Sequence, residues 1–373
     1  MNRISLLSAL LIMTSAVQCQ GPKDGAEPYL LVGTYTSGKS KGIYVYRFNS
    51  ANGSVEHIST VEGIKNPSFL AVAPDKKHVY SVSEGDGMGT ITAFTFDKGI
   101  LSPLNSESSG GNGPCYVTTD RTGKWVAAGN YGSGSLAILP VQANGSLGAS
   151  VTTIAHEGKS VNENRQEKAH VHATVFSPDN RYLLVPDLGM DKIMIYAFDE
   201  ANGKLTATEP ALSDPGSGPR HIDFHPSGKY VYLMEELTGT VTVFNYDKGG
   251  KLTAAQRISS HPAGYKGTIG SADIHVSLDG KFLYASNRGE SNTIAIFSID
   301  HKNGQLKPLG HQPTMGLMPR NFNFDPSGNY LLVANQGSDN IAVFKIDKKT
   351  GMLTALPQLI QVPNPVCVKW VTN

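Results

Sequence analysis

Several charged residues stand where a plain structural repeat would put bland ones. Pro219-Arg220-His221 and Pro319-Arg320-Asn321 open two near-copies of one segment. Glu236 ends the apolar run after Arg220, and Arg288 and Gln336 end the matching runs of later copies. Guanidinium groups in a partly dehydrated setting favour bidentate contact with carboxylate or phosphate. A carboxylate or imidazole among them supplies a proton acceptor, and His172, with His170 two residues before it, is the nearest imidazole candidate. His170 and His172 share one strand face, but no third ligand has suitable spacing, so no metal is expected. The nucleophile elbow, the Walker glycine loop and the dinucleotide fingerprint are missing where their mechanics would need them, and no cofactor is implied.

The elements that must place these groups are short strands. Gly 40 and Pro 21 punctuate runs rich in Val, Thr, Tyr and Phe across 373 residues, the composition of a turn-rich all-β protein. The formal net charge is +1, with 32 basic and 31 acidic residues. That balance argues against nucleic acid or an anionic membrane surface as the main partner.

The chain also repeats itself. Pro219 to Tyr230 matches Pro319 to Tyr330, and Thr240-Val241-Thr242-Val243-Phe244 matches Asn340-Ile341-Ala342-Val343-Phe344 and Thr293-Ile294-Ala295-Ile296-Phe297. Units begin at Pro67, Pro114, Val171, Pro219, Ser271, Pro319 and Pro365. A period of roughly 50 residues fits four-stranded propeller blades. The longest interval holds an inserted loop, near His156 to Lys168. Pro365 to Val371 reads as a first strand with no blade after it, and Tyr29 to Tyr35 as a second strand with no first. Joining them completes a seventh blade and removes the open sheet edge. The expected fold is all-β, a single seven-bladed propeller over residues 29–373 with almost no helix.

In such a blade the first strand lines the axial channel and the second returns beside it. At about 3.3 Å per residue, Arg220 and Glu236 should meet at one mouth. The same register puts Cys115, His172, Arg220, Ala272 and Arg320 in a strand-entry ring, with His170, His221 and Asp273 close by. Glu84, Tyr131, Leu188, Glu236, Arg288 and Gln336 form a strand-exit ring, flanked by Asp187 and Glu235. Unlike charges that differ from blade to blade suit an asymmetric polar anion. A structural ion pair between Glu236 and an arginine is the plain alternative, and His221 and His275 read as hydrogen-bonded core groups. Cys115 and Cys367 fall on blades that are not neighbours, so free, buried thiols are expected.

Arg3 followed by the apolar stretch Leu6 to Met13 reads as an export signal too short to span a bilayer. Residues 1–19 are expected to be the signal and 20–28 a linker, placing the mature chain in the periplasm or outer envelope of a bacterium. Two fates are open, cleavage between Ala16 and Cys19 or lipid attachment at Cys19. Gln18 is larger than the residue that usually precedes a lipidated cysteine.

Taken together, Arg165-Gln166-Glu167, His170-Val171-His172, Val185-Pro186-Asp187-Leu188-Gly189, Gly218-Pro219-Arg220-His221, Glu235-Glu236-Leu237, Ala272-Asp273-Ile274-His275, Asn287-Arg288 and Pro319-Arg320 resemble the lactonase family of seven-bladed propellers. That family includes one of the two unrelated types of 6-phosphogluconolactonase and the fungal carboxymuconate-lactonizing enzymes. The resemblance implies His172, Arg220, Glu236 and Arg288 as active-site positions and hydrolysis of a small anionic sugar-acid lactone as the activity. His170, Asp187, His221, Asp273, Arg320 and Gln336 are expected to help bind it. Glu236 or His172 would serve as general base, and Arg220 and Arg288 would stabilise the oxyanion. Two other readings stay open: a non-catalytic propeller that binds a sugar acid or a protein, and a muconate-type lactonizing isomerase.

Overall fold

The computed structural model describes residues 27–85 and 87–372. The expected export signal, Cys19 and most of the expected linker lie outside the described residues. Seven sheets close into a ring. Blades are numbered here by their innermost strands: Leu70–Val72 (blade 1), Pro114–Thr119 (2), Val175–Phe176 (3), Pro219–Phe224 (4), Ser271–Val276 (5), Pro319–Phe324 (6) and Pro365–Val371 (7). Each sheet has four antiparallel strands, and blade 3 carries one extra short strand, Ala211–Leu212. Among the described residues the only helix is a single 3-10 turn, Gln336–Ser338.

Blade 7 is the composite. Pro365–Val371 pairs with Tyr29–Thr34, which continues to Gly42–Phe48 and Val55–Glu62. The two ends of the chain thus close the ring by a ladder within one blade, leaving only short strand edges around the channel.

Burial explains why the second strands read as unbroken apolar runs. Tyr29–Thr34, Trp125–Asn130, Tyr182–Asp187, Tyr230–Glu235, Phe282–Asn287 and Tyr330–Asn335 are buried at every residue. Both faces of each sheet meet a neighbouring blade, so alternation is lost. Six apolar clusters fill the gaps between blades, one of them joining blades 7, 1 and 2. Phe94, Phe244, Phe297 and Phe344 sit at the same place in their third strands and are 0–1% exposed. Burying each contributes roughly 2–3 kcal/mol.

The hairpin between first and second strands turns through a left-handed residue. Gly228 takes φ +68° there, and in blade 3 Asn180 takes φ +61°. Asn180 also staples blades, since its side-chain amide donates to Asp120 and Glu200 and its oxygen accepts from the Arg121 amide. Asparagine tolerates this conformation better than most residues.

A second irregularity decides where side chains point. Pro219 pairs with Glu235 and His221 with Met234, so Arg220 is an extra residue in its strand. Arg320 and Cys115 are extra in the same way in blades 6 and 2. Such a bulge re-aims its side chain out of the ladder. In blade 3 the ladder breaks altogether: Val171 meets Asp187 in an isolated bridge and pairing resumes only at Val175, leaving His172 in between.

Candidate active site

The bulged residues and the strand ends meet at one mouth of the channel, around a solvent-open basin of about 390 Å³. Glu84, Cys115, Tyr131, Arg165, His172, Glu236, Arg288, Met318 and Arg320 line it, with Gly270 and Gly289. The volume lies within the range of small-molecule sites.

Glu236 is the hub. Its Oε2 accepts from Arg220 Nε at 2.8 Å and lies 3.1 Å from Arg288 Nη2, while its Oε1 accepts from Arg165 Nη2 at 2.7 Å. Burial opposes ionisation of this carboxyl, but Arg288, Arg220 and Arg165 overcome it and hold the group down at about 2. It is therefore an anion at any physiological pH.

Each arginine is fixed by more than that carboxylate. Arg220, 1% exposed, also donates from Nη1 to the Ala272 carbonyl at 2.6 Å and faces His221 Nε2 at 3.4 Å. Arg288 donates from Nε to the Gly270 carbonyl at 2.8 Å and from Nη2 to the Ser271 carbonyl. Burial, only partly offset by Glu236, lowers Arg288 to about 9, which leaves it a cation at neutral pH. Arg165 reaches in from the inserted loop and also touches the Tyr131 hydroxyl at 3.3 Å. Arg320 packs its guanidinium 5.4 Å from the centre of the Tyr35 ring and has no hydrogen-bond acceptor among the described residues. Four guanidiniums thus face two carboxylates, those of Glu236 and Glu84, and the excess attracts an anion.

His172 is buried beside these cations, and burial, Arg220, His221 and Arg320 together hold its imidazole well below the usual histidine range. It is a neutral base at pH 7. Its Nδ1 lies 3.9 Å from the Cys115 sulfur, and its ring sits edge-to-face against Tyr131. Cys115 is no nucleophile, because burial and Glu84 push its thiol up to about 12.

Beneath the basin a polar column runs down the axis. His221 Nδ1 contacts Asp273 Oδ1 at 2.7 Å, and His275 Nε2 contacts Asp273 Oδ2 at 3.0 Å. Burial and Arg220 lower His221 to about 4, so it is neutral, with its proton on Nδ1 facing Asp273 and its bare Nε2 facing Arg220. His275, against the effect of burial, is held up to about 9 by Asp273 and Asp223. The column buttresses Arg220 from below.

A family model described as "Lactonase, 7-bladed beta-propeller" matches residues 29–370. The chain belongs to this lactonase family. A 6-phosphogluconolactonase of Bacillus subtilis is 38% identical over 343 residues, covering 91% of this chain and 97% of that one. Another, from Formosa agariphila, is 40% identical over 344 residues, covering 89% and 96%. The solved structure of the periplasmic gluconolactonase of Pseudomonas aeruginosa superposes with a TM-score of 0.88 at 38% identity, covering 92% and 99%.

In this member of the lactonase family, His172, Glu236, Arg288 and Arg320 line the basin, and Arg220 backs Glu236 from beneath. The other residues expected to bind substrate stand away from its wall. Both ring nitrogens of His170 are engaged, one by the Tyr131 carbonyl and one by Glu167. Asp187 is fully buried and clasps the inserted loop, contacting His156 and accepting from the amides of His170, Gly189 and Met190. His221 and Asp273 belong to the column below. Gln336 opens the 3-10 turn, and its Oε1 is buried without a partner. Arg165 is the residue that the ring argument missed. Its signal was a lone arginine in the one long insertion between units, which no repeat register could place.

Proposed function

We propose that the protein hydrolyses the ring ester of a sugar-acid δ-lactone, as a 6-phosphogluconolactonase-like enzyme acting outside the cytoplasm. The observation that carries this is Glu236, an ionised carboxylate that holds three guanidiniums around an open basin beside a neutral imidazole. The names of the relatives supply the lactone. The periplasmic relative supports export, as does the amino-terminal sequence.

In the mechanism, the lactone carbonyl lies against Arg288 and Arg165, with Arg320 free for the substrate's polar or anionic end. His172 takes a proton from water as its oxygen bonds to the carbonyl carbon, and the guanidiniums receive the charge that forms on the carbonyl oxygen. Collapse breaks the ring C–O bond, and the imidazolium returns its proton to the departing alkoxide. Glu236 has both oxygens taken by the three arginines and serves to orient them. The products are the open hydroxy acid and nothing else.

The test is acid release from a panel of δ-lactones, phosphorylated and plain, followed with a pH indicator above the spontaneous rate. A muconate is included and followed by its diene absorbance. Lactone turnover that His172→Ala reduces by roughly 100-fold or more supports the assignment. Absence of turnover on every lactone refutes it, and loss of diene absorbance instead would point to ring closure.

A further inference from the structure

The arginine basin does not end at Tyr131. A second trough of about 450 Å³ continues from it across blades 7, 1 and 2, sharing Glu84 and Tyr131 as a common wall. Its character is different. Among the described residues no guanidinium or ammonium lines it, Arg320 lying behind the Tyr35 ring; Tyr35, Asn66, Asn112 and a set of glycines do. Lys168, whose ammonium donates to the Gly132 carbonyl, and Lys65, which lies against Gly85, are exposed at its margins without forming its wall.

The trough is kept open by backbone. A Cβ on Gly132 would stand 2.9 Å from the Asn112 carbonyl oxygen, and one on Gly113, at φ +61°, would stand 3.2 Å from the Gly132 nitrogen, so Asn112, Gly113 and Gly132 pack backbone on backbone in one wall. No side chain can fill that wall. The groups that do project are those that bind hydroxyls. The Asn112 side chain has no hydrogen-bond partner among the described residues and is exposed. Asn66 accepts from Thr36 and donates once, to the Glu84 carbonyl, leaving one amide proton over. Burial, with the Glu84 carboxylate beside it, raises the Tyr35 phenol to about 12, so it keeps its proton toward Glu84 and offers its oxygen as an acceptor. Ser68 pins one oxygen of Glu84 at 2.6 Å. Planar amides, phenols and a carboxylate can bind vicinal hydroxyls through paired hydrogen bonds. Glu84, standing at the junction, repels an anion moving from the arginines into the trough.

We infer that the trough is a subsite for a neutral sugar unit, so that the preferred substrates of the proposed lactonase are aldonolactones still carrying a glycosyl group. The lactone carbonyl lies among the arginines and the appended sugar lies between Tyr35 and Asn112. This rests on the lactone-hydrolysis reading, and binding measurements separate the two. A phosphate at the same end of the substrate would meet Glu84, with Arg320 held behind the Tyr35 ring and lysines only at the margins.

Calorimetric titration of the mature protein with gluconate, a glucosyl-gluconate and 6-phosphogluconate tests it, alongside turnover of the matching lactones. The glucosyl-gluconate is expected to bind at least tenfold more tightly than gluconate. Asn112→Trp, which fills the trough, should bring the two within about threefold, and Asn112→Ala provides a milder loss should the larger side chain disturb folding. Equal affinities for gluconate and glucosyl-gluconate in the wild type, or tighter binding of 6-phosphogluconate, overturn the subsite even if lactones are hydrolysed. A preserved tenfold preference without turnover of any lactone leaves the subsite standing and removes the hydrolytic reading. No binding of any of the three removes both.

Discussion

Replacing Glu236 by glutamine keeps the shape of the side chain and removes its charge, so it isolates the electrostatics of the hub. The carboxyl sits at about 2 in the folded protein against an ordinary value of 4.5. At about 1.4 kcal/mol per unit, ionisation of this one group stabilises the fold by about 3 kcal/mol near neutrality. That agrees with the 3–5 kcal/mol typical of breaking a buried ion pair. Because the folded value is the lower one, the contribution is complete above pH 4.5 and is lost as pH falls through the region of 2. At about 2.1 cal/mol/K per residue, a domain of this length unfolds with an entropy near 0.7 kcal/mol/K, so ~3 kcal/mol corresponds to ~4 °C. Thermal melts of wild type and Glu236→Gln from neutral to acid pH are therefore expected to differ by ~4 °C at pH 7. The gap should close between about pH 4.5 and pH 2. Taking the difference cancels the other carboxylates. Coincident melts at pH 7, or a gap that persists unchanged into acid, would show that the guanidiniums do not hold this carboxylate ionised.

Further outcomes follow from the same geometry. Arg165 is half-exposed and comes from a loop, so Arg165→Ala should leave the melting temperature nearly unchanged while lowering kcat/KM roughly tenfold, mainly through kcat, read from initial rates. His275 is raised to about 9 in the fold, so its contribution is full below about 6.5 and lost as pH rises through 9; the stability gap between wild type and His275→Gln should shrink over that interval in urea titrations. Cys115 and Cys367, buried and pushed up to about 12 and about 11, should resist a thiol reagent at pH 8 and react fully in guanidinium chloride. Asp273→Asn should weaken the hold on His221 and, through it, Arg220, lowering kcat with little change in KM.

The ring was legible because its signals are local and repeated. Tyr29–Thr34 copies Tyr330–Asn335, and the orphan strand Pro365–Val371 supplies its missing partner, so both the blade number and its closure could be read. The meeting of Arg220 with Glu236 was legible too, since two antiparallel strands of equal length must return to one end. The bulges were not. One extra residue at Arg220, Arg320 and Cys115 turns each side chain toward the axis, and a register counted by twos carries no mark of it. The same count cannot separate the layer at the mouth from the layer below. His221 and Asp273 stand one step deeper than Arg220, and their hydrogen bonds tie them to each other instead of to the basin. Asp187 was placed at the correct end of its strand, but its partner His156 comes from the insertion, whose path no repeat could supply.

Arg288 bears most directly on the account, since it lines the basin and also touches Glu236. The decisive measurement is kcat/KM for a gluconate-type δ-lactone, corrected for spontaneous opening, in the wild type and in Arg288→Ala. Turnover in the wild type with a loss of about 100-fold or more in the variant, its ring still folded by circular dichroism, is the predicted result. A variant that opens the lactone as fast as the parent would contradict the claim that this basin performs the chemistry.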